Sequence, residues 1–150
     1  MGTRSLTRVI PRQKGLSYGE GHKHIEKSVV NMYRHYDGYP QGHGLELAEF
    51  LSEFEVVNGL VSDHYTDYYK NKMANGVGCL AAQLVQHFKK GPGNIYLEAL
   101  NGEPGDSWEE YIYTLFPKEG EPTYMSIYDV YAKKCIFVGT SEDLQTKYDD

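Results

Sequence analysis

Alternation dominates the start of the chain. In residues 3–10, Arg4, Leu6, Arg8 and Ile10 point one way, and Thr3, Ser5, Thr7 and Val9 the other. That is the period-two signature of a strand, and Pro11 stops it. Residues 11–27 are rich in Gly and Lys and show no period, which predicts an exposed loop. Residues 28–36, anchored by Val29, Val30 and Met32, predict a second strand. Antiparallel pairing of the two is simplest, because it needs no crossover helix. The period then changes. Leu47, Phe50, Leu51 and Phe54 recur at helical spacing with Glu46, Glu49 and Glu53 outside, predicting a helix that Asn58-Gly59 ends. Residues 60–76 read as either a short helix or a lid-like loop. Val77, Leu80, Ala81, Leu84, Val85 and Phe88 form the stripe of a second helix. Lys89 and Lys90 suit its C-terminal dipole, and Gly91-Pro-Gly93 terminates it.

The remainder reads as strands. Residues 94–100 and 110–115 flank the turn 101–106 and predict a hairpin. Residues 124–131 and 134–138 predict another. Thr140 or Ser141 can cap a last short helix around Leu144, with 140–150 forming that helix and a tail. The order lacks strict β/α alternation. It predicts an α+β fold, a mostly antiparallel β-sheet with two main helices packed on one face. The 150 residues suit a single domain over 1–150.

Charge is uneven. Residues 1–40 carry seven Lys/Arg and three acids, whereas 41–150 carry eight basic and eighteen acidic residues. An anionic partner is therefore expected near the first strands. The net charge of −6 argues against general nucleic-acid binding. No apolar run is long enough for a membrane span, and the first residues lack a secretory h-region. Cys79 and Cys135 read as reduced, buried thiols. These features predict a cytoplasmic protein. The compositional outlier is tyrosine, with 14 Tyr against 5 Phe. Tyr33, Tyr36 and Tyr39 frame the densest chemistry; Tyr65, Tyr68 and Tyr69 fall in the ambiguous stretch.

That chemistry lies between Tyr33 and Gly44. Arg34 is a fixed cation able to grip a phosphate or carboxylate. His35 and His43 are candidates for proton exchange near neutral pH, and Asp37 can orient one of them. The Gly-rich turn brings backbone N–H groups to a helix N-terminus, where anions bind. The same residues also have a purely structural reading, with His43 or Asp37 capping the helix and Arg34 pairing with Glu46. The spacing matches neither a P-loop nor a dinucleotide fingerprint. Alternation places Arg34 and His35 on opposite sides unless a bulge intervenes. Glu20, His22 and His24 form a weak ligand cluster, short of the defined spacing zinc sites need, so no metal and no cofactor is expected. No nucleophile elbow is present.

The segments Gly2-Thr-Arg-Ser-Leu-Thr7 and Met32-Tyr-Arg-His-Tyr-Asp-Gly-Tyr-Pro-Gln-Gly-His-Gly-Leu-Glu-Leu-Ala-Glu-Phe-Leu51 resemble a family of small bacteriophage and prophage proteins. Asn58-Gly-Leu, Ala74-Asn-Gly-Val-Gly-Cys-Leu-Ala-Ala82 and Tyr111-Ile-Tyr-Thr are similar to its later signatures. The resemblance implies a protein of the bacterial host cytoplasm and supplies no activity or catalytic residue. Three functions follow as expectations. The first is a binding module holding a small, nucleotide-like anion at Arg34, His35, Asp37, Tyr39 and His43, with Arg8 adding charge. The second is a protein-interaction module inhibiting a host protein. The third is a small phosphoryl hydrolase using His35 and His43.

Overall fold

The computed structural model describes residues 2–52, 54–58 and 73–148. Six strands form one sheet. They are β1 (Ser5–Val9), β2 (Val30–Arg34), β5 (Ile95–Leu97), β6 (Tyr111–Lys118), β7 (Glu121–Asp129) and β8 (Lys134–Thr140), in the spatial order β5-β2-β1-β6-β7-β8. Two short strands, β3 (Glu55–Val57) and β4 (Met73–Asn75), pair in parallel apart from it. Among the described residues the α-helices are α1 (Leu45–Ser52), α2 (Gly76–Phe88) and α3 (Ser141–Tyr148). The fold is α+β, with a mixed and mostly antiparallel sheet.

The predicted β1–β2 pairing is present and antiparallel, with Ser5 opposite Arg34 and Val9 opposite Val30. So is the β7–β8 hairpin. The hairpin expected between 94–100 and 110–115 is not. β5 pairs with β2 at the sheet edge, and β6 lies parallel to β1, Ser5 opposite Tyr111. The turn residues that suggested a hairpin close a loop on itself instead, Asp106 N–H donating to Glu103 O at 3.0 Å. β6 then pairs with β7. The first helix is also shorter than expected. It ends at Ser52, and Val56 and Val57, β-branched, continue as β3.

β6 is buried over six consecutive residues, which requires cover on both faces of the sheet. On one face Val9, Met32, Tyr113, Leu115, Met125 and Ile127 meet Leu47, Phe50 and Leu51 of α1 and Leu80, Leu84 and Phe88 of α2. Leu47, Leu80 and Leu84 are wholly buried. α3 adds Leu144 and packs on α1. Its start is boxed as expected: Thr140 Oγ1 accepts from the Asp143 N–H, and Asp143 Oδ2 accepts from the Thr140 N–H.

The opposite face is covered by the segment read as an exposed loop. It forms short 3₁₀ turns at Tyr18–Lys23 and Ile25–Lys27. Tyr18 lies 4.9 Å from the Phe116 ring and 5.1 Å from that of Tyr124, and His22 stacks on Tyr128 at 3.6 Å. Gly21 is required here, since a Cβ would meet Phe116 and Thr114 side chains at 2.8 Å. The rings of Tyr18 and His22, absent from any periodic pattern, hold the segment down. At the β5 edge, the Lys89 ammonium donates to Ile95 O at 2.7 Å and to Gly93 O at 3.1 Å.

Candidate functional site

β2 ends in Arg34, whose side chain points to the helical face as strand alternation demands. A tight return follows, and a turn of π-helix, Pro40–Gly44, leads into α1. Gly38 lets the return pass close to β1. Its N–H donates to Thr3 O at 2.8 Å, and a Cβ there would meet Ser5 Cβ at 2.7 Å. The return folds His43 under the sheet, where it is fully buried.

Arg34 and His43 therefore converge. Arg34 Nη1 donates to His43 Nδ1 at 3.0 Å and also to the Glu46 carboxylate, while Nε donates to Tyr36 O at 2.6 Å. A guanidinium has no acceptor, so Nδ1 must carry the lone pair. The imidazole proton then sits on Nε2, which donates to Thr7 Oγ1 at 2.7 Å. Burial, and then the nearby Arg34 charge, hold the His43 imidazole well below its ordinary range. It is neutral in one tautomer. Tyr113 completes the cluster, its ring 4.9 Å from that of His43 and its hydroxyl donating to Gly38 O at 2.6 Å. Burial raises the Tyr113 phenol well above its usual value, so it remains a donor.

The other expected site residues do not join. His35 faces the opposite side of β2, where Nδ1 meets the Tyr33 hydroxyl at 2.8 Å. Asp37 is exposed at φ 60°, and only its carbonyl enters the turn, accepting from the His43 N–H at 2.9 Å. Tyr39 is exposed and its carbonyl accepts from the Gly42 N–H. Those two N–H groups are thus engaged within the turn rather than offered as an anion cradle. Arg8 lies on the far face, donating to Asn31 Oδ1 at 3.2 Å and to His22 O at 3.4 Å. Its guanidinium is buried, which lowers its pKa, and the Glu109 charge partly opposes this. His35 and His43, on opposite faces, form no acid–base pair. Tyr65, Tyr68 and Tyr69 lie outside the described residues.

What Arg34 does face is a cleft of about 320 Å³ between the end of β2, α1 and the C-terminal end of α2. Arg34, Glu46, Glu49, Phe50, Phe88 and Lys90 are among its lining residues. Phe50 and Phe88 make the apolar wall, and the Arg34 guanidinium stands 5.8 Å from the Phe88 ring centroid. The charges are balanced, two cations against two carboxylates. Thr7, Tyr113 and Phe88 were missed from the sequence. Thr7 carried a signal, a hydroxyl on the inward side of an alternating strand, which needs a buried partner.

Glu20 pairs with Lys23 at 2.9 Å, and His22 is engaged with Tyr128. Among the described residues no group of three or more His, Cys, Asp or Glu is placed to hold a metal ion. Cys79 and Cys135 are free and half-buried rather than buried. No helix among the described residues is long and apolar enough to cross a membrane. No family model, curated protein or solved structure matches the chain.

Proposed function

We propose that the protein is a small binding module that receives a nucleotide-like anion in the cleft beside Arg34. One observation carries this reading. A cation fixed by three acceptors lines a cleft that also holds an apolar aromatic wall and a second cation, Lys90. The volume lies at the low end of small-molecule sites. The Glu46 carboxylate acts as a stand-in ligand. Its side chain is half exposed, so it can swing to water and release Arg34 to an incoming phosphate or carboxylate. Phe50 and Phe88 offer faces to a base or other planar body. In the phage or prophage setting that the sequence resembles, such a module would sequester or sense a host metabolite.

Calorimetry against nucleoside mono-, di- and triphosphates tests it. Saturable binding is expected, weakened at least about tenfold by Lys90→Glu, an exposed change that spares the fold. Glu46→Ala is expected to tighten binding a few-fold, by removing a competitor of surface-pair strength, on the order of 0.5–1 kcal/mol. Absence of binding across the panel, or identical binding by wild type and Lys90→Glu, overturns the reading.

A further inference from the structure

A second surface lies at the sheet edge, away from the Arg34 cleft. Among the described residues, Tyr96, Leu97, Leu100 and Trp108 are four of the nine large apolar side chains left exposed. They fall in one stretch of thirteen residues. Ser107 Oγ donates to the Glu98 carboxylate, so Leu97 and Trp108, each next to one member of that bond, sit on adjoining segments. Trp108, the single tryptophan, is 76% exposed.

The indole is held in water by construction. Glu109 is buried, and its carboxylate accepts from the Gly105 N–H at 2.6 Å and from the Ser107 N–H at 3.1 Å. The Trp108 N–H donates to Gly105 O at 3.0 Å. These bonds hold Trp108 at φ 62°, a left-handed conformation that bulky residues avoid. The loop is therefore ordered around an aromatic ring that it does not cover. The sequence around it is acidic: besides the buried Glu109, residues 91–110 contain Glu98, Glu103, Asp106 and Glu110 and no Lys, Arg or His, and Lys89 stands at the Tyr96 end, 5.4 Å from that ring.

We propose that this acidic, aromatic loop is a docking surface for a Lys/Arg-rich segment of a partner protein. The face of an indole attracts a guanidinium or ammonium, and the surrounding carboxylates add attraction of the same sign. The same carboxylates repel nucleic acid. Extension of the sheet by an added strand is disfavoured here, because Lys89 already occupies the outward carbonyl of Ile95. The segment therefore docks by its side chains, with Trp108 as the anchor.

The test titrates the full chain with an Arg-rich peptide, a Glu-rich peptide and an uncharged peptide of equal length, following Trp108 fluorescence. A saturable spectral change is expected with the Arg-rich peptide alone, and its affinity should fall several-fold as salt rises. Calorimetry then compares variants. Trp108→Ala and the double variant Glu103→Lys/Glu110→Lys should each lose at least about tenfold in affinity, with unchanged circular dichroism. Lys90→Glu should have no effect, which separates this surface from the cleft. An equal response to the Glu-rich peptide, or full affinity in Trp108→Ala, overturns the proposal. Burial of Trp108 in a concentration-dependent dimer without peptide overturns it in favour of a second copy.

Discussion

Two arginines on neighbouring strands solve burial in opposite ways. Arg34 on β2 and Arg8 on β1 are both buried, at 8% and 2% exposure, on opposite faces of one sheet. Arg34 meets a carboxylate, an imidazole and a carbonyl, all supplied by the residues that follow it within twelve positions. Arg8 meets an amide oxygen and a carbonyl. Among the described residues no carboxylate comes within 4.0 Å of it, and Glu109 acts only at longer range. The local partners of Arg34 make it a defined structural unit that opens on a cleft. Arg8 is stabilised by neutral dipoles and a distant charge, so loss of hydration dominates its energetics.

Removing each cation should separate the two cases most strongly. Arg34→Ala leaves the His43 Nδ1 lone pair buried without a donor and frees Glu46. It should cost about 2–4 kcal/mol of stability, read by urea denaturation. Arg8→Met replaces a poorly paired cation with an apolar side chain of similar reach, and should cost less than about 1 kcal/mol. Equal losses would mean that the distant Glu109 field does as much as direct contact.

Acid distinguishes the clusters next. The His43 pKa is depressed on folding, so the unfolded chain binds its proton first. The stability from neutral His43 is complete above the unfolded value near 6.5 and is lost as pH falls below it, toward the folded value. The slope is at most about 1.4 kcal/mol per pH unit for one proton. His22, on the Arg8 side, is shifted the same way by partial burial and adds a smaller part. Between pH 5 and about 6.5, His43→Phe should remove most of the slope and His22→Ala little. Nitrogen NMR should show protonated Nε2 and bare Nδ1 on His43. A His43 that titrates near 6.5 in the folded protein contradicts the donor assignment.

Local pattern made much of this legible. Alternation placed Arg34 and His35 on opposite faces, apolar stripes located α1 and α2, and Glu46 was identifiable as a partner for Arg34 in the first turn of the helix after the Gly-rich return. Sheet order was not legible, because pairing between β6 and β1 joins residues far apart in sequence and leaves no periodic trace. The 101–106 turn looked like a hairpin because Gly, Pro and Asn mark any reversal, including one that Glu109 ties back on itself. The cover over the far face depends on isolated rings, Tyr18 and His22, seated against strands that the sequence could not place beneath them.

The parallel pairing of Ser5 with Tyr111 also bears on assembly. β1 can form its hairpin with β2 early, since both lie in the first thirty-four residues. Its other edge stays unpaired until β6 arrives more than a hundred residues later. Contacts this distant slow folding, because the loop must close before they stabilise it. During synthesis the nascent β1–β2 ribbon is an open strand edge awaiting its neighbour, the state in which chains of this kind pair wrongly with one another.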